Sequence, residues 1–312
     1  MSLEQAVDEY LDVPYVTSQP QPQSPFHKFD LYVPKDISAR LLHPLICFVH
    51  GGAWRSEDKS DHVVLARRLA CMTGCPVALP NYRLTPKTPT PDNFLRHPEH
   101  AKDVLGFLNF ICAVSDLRSQ GESPCTLDGR GTAKKPPGVP GLPYEPHQLF
   151  LVGHSCAAHM LCSIFLNVSS HSSDASDGNQ ICPSDTILKR TKALVLSEGI
   201  YDLDSLISTF PTYRSWFIED VFGAHDSYAD VSVIRASTRY HSGHIKWLII
   251  HSKGDTLVDE EQSQAMYNHL KDQSARVYKS FDELLEGHNE ILRGDQYVDV
   301  LRRFIQAVPA LE

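Results

Sequence analysis

Short, continuous apolar runs alternate along this chain with stretches whose apolar residues recur at helical spacing. The runs Leu45–Val49, Cys75–Leu79, Leu149–Val152, Lys192–Ser197 and Ile245–Ile250 predict strands buried on both faces. Lys28–Val33 alternates and is closed by Pro34, and Ala275–Phe281 predicts a further strand. Helical spacing is found over 61–70 (Val63, Leu65, Leu69), from near Pro98 (Val104, Leu108, Ile111), and from Ser155 to Phe165. It recurs over Glu260–Leu270 and in a closing helix that puts Val298, Leu301, Ile305 and Val308 on one face. Proline is tolerated in a first helical turn, so Pro98 does not break this pattern. Strands alternating with helices predict an α/β class: one mostly parallel, doubly wound sheet with helices on both faces.

Four stretches interrupt the rhythm. Residues 14–25 are rich in Pro, Gln and Ser and read as an extended entry segment. Loop insertions are expected near 118–147, rich in Gly and Pro, and near 168–190, rich in Ser and Asp. Residues 203–243 carry short helical patterns and many aromatics, and are expected to form a small, partial lid between two strands of a single domain spanning 1–312.

Composition narrows the partners. No stretch approaches the ~18 apolar residues that span a bilayer, and the N-terminus lacks the basic-then-apolar pattern of a secretory signal. Cytoplasm is the expected location. A net charge of −9 argues against nucleic acid and anionic membranes as main partners. The 8 cysteines are scattered and read as reduced, mostly buried thiols. Cys71 and Cys75 have no second pair, and no His-Glu-x-x-His occurs among the 16 histidines, so neither a metal nor an organic cofactor is expected. A homodimer remains open.

The chemistry gathers just after strands. Gly153-His154-Ser155-Cys156-Ala157 follows an apolar run and opens a helix, the layout of a nucleophile elbow with Ser155 at its apex. The alternative is that Ser155 merely caps the helix. A serine hydroxyl needs a base, and His288 in Gly287-His288-Asn289 is better placed than His154, His251 or His269. Asp255, after another strand, could accept the imidazole's second N–H, with Glu198 and Asp259 as rival acids. The backbone N–H groups of Gly51 and Gly52, with that of Cys156, could form an oxyanion hole. In doubly wound sheets, ligands bind beyond the carboxyl ends of the strands, so these separate stretches make one site.

With His50-Gly-Gly-Ala-Trp54, Gly153-His-Ser155, Glu198-Gly-Ile-Tyr-Asp-Leu203, His251-Ser-x-x-Asp255 and Gly287-His288-Asn289, the chain resembles the kynurenine formamidases, the fungal type in particular. The likeness spans most of 28–308, and His-Gly-Gly and Gly-x-Ser are shared with hormone-sensitive-lipase-like esterases. It implies the α/β-hydrolase fold and hydrolysis of N-formyl-L-kynurenine to L-kynurenine and formate, in tryptophan catabolism towards NAD. It further implies a Ser155–Asp255–His288 triad, an oxyanion motif at Gly51 and Gly52, and a small aryl formamide as substrate. Cys156-Ala157 departs from the family's two small residues ending in glycine. Trp54, Tyr82, Tyr213, Trp216 and Phe217 are candidates for an aromatic wall around the arylamine. A carboxylesterase of the same fold, and a catalytically silent binding module, are the alternatives.

Overall fold

Each long apolar run becomes a strand of one eight-stranded sheet. The computed structural model describes residues 6–16, 24–35, 44–90, 93–119, 126–127, 133–134, 147–168 and 181–308. Numbered along the chain, the strands of the main sheet are β1 (Val7–Pro14), β2 (Lys28–Pro34), β3 (Leu45–Val49) and β4 (Val77–Pro80). They continue with β5 (Leu149–His154), β6 (Thr191–Ser197), β7 (Lys246–Ile250) and β8 (Arg276–Ser280). Their order across the sheet is β1-β2-β4-β3-β5-β6-β7-β8. Only β2 pairs antiparallel with its neighbours β1 and β4; every other pairing is parallel.

Side chains alternate across a strand, and here both faces are covered. Leu149 and Leu151 point into one apolar cluster while Phe150 and Val152 point into the other. Cys47 and Phe48, Leu194 and Val195, and Ile249 and Ile250 divide in the same way. Helices α1 (Val63–Thr73) and α8 (Asp295–Ala307) pack on each other and share the second cluster. Helices α2 (Glu99–Ser119), α3 (Cys156–Phe165) and α7 (Glu260–Asp272) contribute to the first. Each fully buried Leu, Ile or Phe contributes roughly 1.5–3 kcal/mol, so the two-sided core fixes strand register and with it the strand ends.

Two expectations need correction. The strand β1 lies ahead of the expected extended segment, because only Val7 and Val13 of its residues are buried and an edge strand shows little period. A bulge between Tyr10 and Val13 breaks its alternation further: Asp12 stands at φ 55° and its N–H donates to Asp30 Oδ1 at 2.8 Å. The expected insertion near 168–190 ends earlier, since helix α4 (Asp185–Arg190), capped by Ser184 and feeding directly into β6, is ordered structure. Residues 169–180, and nearly all of the expected 118–147 insertion, lie outside the described residues. The 203–243 segment holds α5 (Leu203–Thr209), a π-helical turn at Arg214–Ile218 and α6 (Glu219–Phe222). Among the described residues, no helix is long and apolar enough to cross a membrane.

Candidate active site

The loops that follow β3, β5, β6, β7 and β8 meet at one edge of the sheet. Ser155, between β5 and α3, has φ 56° and ψ −121°, and its N–H donates to the Ser197 carbonyl at 2.8 Å. This tight turn is possible because residue 153 has no side chain: a Cβ there would lie 2.9 Å from the backbone carbonyl of Ala157. Ala157, the departure from a second glycine, is fully buried in the first turn of α3 and leaves that turn intact.

The loop after β3 is held from behind. The Tyr82 hydroxyl reaches the carbonyls of Gly51 (2.8 Å) and His50 (3.0 Å), and the Trp54 N–H reaches Cys156 Sγ at 3.3 Å. Burial pushes the Cys156 thiol up to about 12, so it stays protonated and serves as a tie between loop and elbow. Among the described residues, the amides of Gly52 and Cys156 donate no hydrogen bond, which leaves both free for a ligand oxygen. Gly52 has φ +89°, and a Cβ on it would fall 2.2 Å from the Ser56 carbonyl oxygen. Gly106, inside α2, has open space around the same position. Gly52→Ala is therefore expected to lower the melting temperature, since strain at one positive φ costs about 1–3 kcal/mol before the clash is counted. Gly106→Ala is expected to raise it, by the ~1 kcal/mol helix preference of alanine. Equal shifts in thermal melts of the two variants would contradict this account of the loop.

Across the sheet edge, His288 Nδ1 donates to Asp255 Oδ2 at 2.7 Å. The Asp255 side chain is fully buried, and its Oδ1 accepts the N–H groups of Leu257 (2.8 Å) and Val258 (3.1 Å). Burial alone would raise this carboxyl, but the hydrogen bond from His288 and the neighbouring Glu198 outweigh it and hold Asp255 well below the usual carboxylate range. The rival groups sit elsewhere: Asp259 caps α7, His269 bonds the Ala236 carbonyl, and His251 lies against Ser263 and Glu198. His154 Nε2 lies 2.9 Å from the His288 carbonyl. A carbonyl only accepts, so Nε2 carries the hydrogen, and burial pulls this imidazole down to about 3 and keeps it neutral. The residue beside the serine thus ties the elbow to the loop of the base.

Ser155 and His288 line one cavity of about 640 Å³, together with Gly52 on the loop after β3. Tyr213, Trp216 and Phe217 form its aromatic wall, and Arg55, Glu57, Lys87 and Asp220 give it a charged rim. Arg55 pairs with Asp220 at 3.1 Å and donates to the Trp216 carbonyl, which binds the 203–243 segment to the loop after β3. Tyr213 donates to the Leu257 carbonyl at 3.1 Å, tying the same segment to the Asp255 loop. Of the aromatic candidates, Trp216 and Phe217 line the cavity, whereas Trp54 and Tyr82 are fully buried behind it. Trp54 packs on His159, Phe217 and Phe222, and Tyr82 stacks on His50. They belong to the support rather than the wall.

Sequence reasoning gave no role to the side chains of His154, Arg55 and Cys156. The signal for His154 was a polar residue flanked by an apolar strand and an apolar helix, which must be buried and therefore partnered. Glu198, His251 and Asp255 are the group among the described residues whose potential metal ligands approach within 4.8 Å of one another. Asp255 already accepts three N–H groups, and Glu198 Oε1 accepts the Ser252 N–H at 2.8 Å, so these atoms serve a hydrogen-bond network.

A family profile described as alpha/beta hydrolase fold matches residues 46–284. A probable isoprenylcysteine alpha-carbonyl methylesterase of Oryza sativa subsp. japonica is 28% identical over 202 residues, 64% of this chain and 39% of that protein. The chain thus spans about two fifths of that relative, and about half of a second plant methylesterase. Kynurenine formamidase of Meyerozyma guilliermondii is 25% identical over 242 residues, 74% of this chain and 73% of that protein. Among solved structures, esterase B of Lactobacillus rhamnosis is similar with a TM-score of 0.68 at 15% identity, over 98% of this chain and 86% of that one. At that identity the likeness is one of fold.

Proposed function

From the premise that this chain belongs to the alpha/beta hydrolase fold family, we propose that it is a serine hydrolase acting on N-formyl-L-kynurenine. The observation that carries the chemistry is the convergence on one cavity of Ser155, Gly52 and His288 with its Asp255 bond, the unengaged amide of Cys156 being next in the chain to the serine. Ser155 Oγ attacks the formyl carbon while His288 Nε2 takes its proton. The carbonyl oxygen becomes an oxyanion facing the amides of Gly51, Gly52 and Cys156. His288 then protonates the aryl nitrogen, the C–N bond breaks, and the amine leaves a formyl-serine. Water, deprotonated by His288, attacks that ester, and formate departs as Ser155 recovers its proton. Asp255 holds the imidazole in the tautomer with Nδ1 protonated and stabilises the imidazolium.

The choice of substrate rests on the motifs His50-Gly-Gly-Ala-Trp54 and Gly199-Ile-Tyr-Asp-Leu203 and on the coverage of the yeast formamidase, nearly equal in both chains. The tryptophan-catabolic role follows from that choice, and a location in the cytoplasm is part of the same proposal. The Tyr213–Trp216–Phe217 wall suits an arylamine, which stacks on aromatic faces. A second reading, a carboxylesterase on short-acyl or aryl esters, is favoured by the plant methylesterase relatives. Initial rates on N-formyl-L-kynurenine and 4-nitrophenyl acetate separate the two. A kcat/KM higher on the formamide is expected, and an ester preference of several orders of magnitude would replace the formamidase by the esterase.

A further inference from the structure

Glu198 directly follows β6, with φ 52° and no exposed surface, an expensive place for a carboxyl group. Its Oε1 accepts the Ser252 N–H, but its Oε2 is buried and meets no donor among the described residues. The carboxyl groups of Glu198 and Asp255 approach within 4.8 Å, and Oε2 lies 3.2 Å from His251 Nδ1, which is itself turned to the Ser263 hydroxyl at 3.1 Å. Two carboxyl groups in one buried space cannot both ionise. The donors decide which keeps the charge. Asp255 receives three N–H groups, from His288, Leu257 and Val258, whereas Glu198 receives one. The charge belongs on Asp255 and the proton on Glu198.

We infer that Glu198 is a positioning residue, a neutral carboxylic acid whose O–H donates to Asp255 and keeps that carboxylate aimed at His288; this rests on the triad reading above. The proton makes good the missing donor at Oε2 and gives Asp255 a fourth hydrogen bond. The surroundings agree. Burial, and then Asp255 itself, raise the Glu198 carboxyl far above the usual range. The other titratable groups around it are His251, lowered by burial, and the phenols of Tyr201 and Tyr297, raised by burial; none is a cation. His288 bonds Asp255.

Glu198→Gln keeps a donor directed at Asp255, while Glu198→Ala removes it. Measured on 4-nitrophenyl acetate across pH, the glutamine variant is expected to stay close to wild type. The alanine variant is expected to lose about 10²-fold in kcat with KM little changed. Its acid limb is expected to move to higher pH, because a carboxylate with fewer donors binds the imidazolium more tightly. Equal losses in both variants, or an acid limb that does not move, would overturn the inference.

A second measurement needs no turnover. An unfolded glutamate ionises near about 4.3, so above that pH the folded wild type holds one proton more than the unfolded chain and loses stability as pH rises. The melting temperature of Glu198→Gln minus that of wild type is therefore expected to grow between about pH 5 and pH 8. A constant difference would place the charge on Glu198 and end the proposal. If wild-type protein hydrolyses neither ester nor formamide, the hydrolase reading falls, and the melting series still decides the protonation.

Discussion

Alanine at position 155 is expected to leave a folded protein whose turnover falls by about 10⁶-fold, the order seen when a triad nucleophile is removed. The fold should survive because the Ser155 hydroxyl makes no hydrogen bond among the described residues, while its backbone N–H bond to Ser197 is kept. The positive φ is already borne by a residue with a Cβ, so alanine adds no strain. Melting curves of Ser155→Ala should overlay those of wild type. Labelling by a fluorophosphonate should be lost with activity, since both need the same oxygen. Turnover near the wild-type level in this variant would remove Ser155 from the chemistry.

Asp255→Asn tests the other end of the site. The substitution keeps the shape but puts an amide where His288 Nδ1–H finds its acceptor. If the amide N–H₂ turns to the imidazole, it selects the tautomer with Nε2 protonated, which cannot take a proton from serine. A drop of about 10⁴ in kcat is expected at neutral pH. The acid range also has a definite sign. The folded-state value of Asp255 is depressed, so its contribution to stability is present above its unfolded value of about 3.9. It is lost as pH falls through the lower folded value. Asp255 thus stays ionised through the mildly acidic range of an assay, and the acid limb of the wild-type profile reports another group. An Asp255→Asn variant with kcat close to wild type would assign the acid's role elsewhere.

What the sequence made legible divides along physical lines. The strands from β3 to β7 were readable because burial on both faces demands an unbroken apolar run. The edge strand β1 was not, since most of its side chains face water and a bulge interrupts its period. The elbow was readable because the constraint is local: Gly153 must be small where the Ala157 backbone passes. The pairing of His288 with Asp255 was readable only as coincidence of strand ends, and its 2.7 Å contact is a product of the sheet. Aromatic direction was not readable at all. Trp54 and Trp216 both border predicted site loops, yet one is fully buried and the other 57% exposed. Nothing in either residue's neighbours distinguishes a side chain behind a wall from one in it. Glu198 was seen as a rival acid; its place beside Asp255 depends on the registry of β6 with β7, which local pattern does not encode.

The tie between Arg55, Asp220 and the Trp216 carbonyl, with that from Tyr213 to Leu257, anchors a single excursion of chain at two points on the cavity rim. Ser155, Asp255 and His288 arrive on other loops, each fixed by the end of its own strand. The aromatic wall is therefore a cassette. A 203–243 segment grafted from another member of the family would bring a different chamber to the same three side chains, provided its replacement keeps an acceptor for Arg55 at 220, an anchor to 257 and the core-facing apolar residues such as Leu203, Ile218, Val221 and Phe222. Selectivity could then drift by exchange of one insert, with the reacting groups undisturbed.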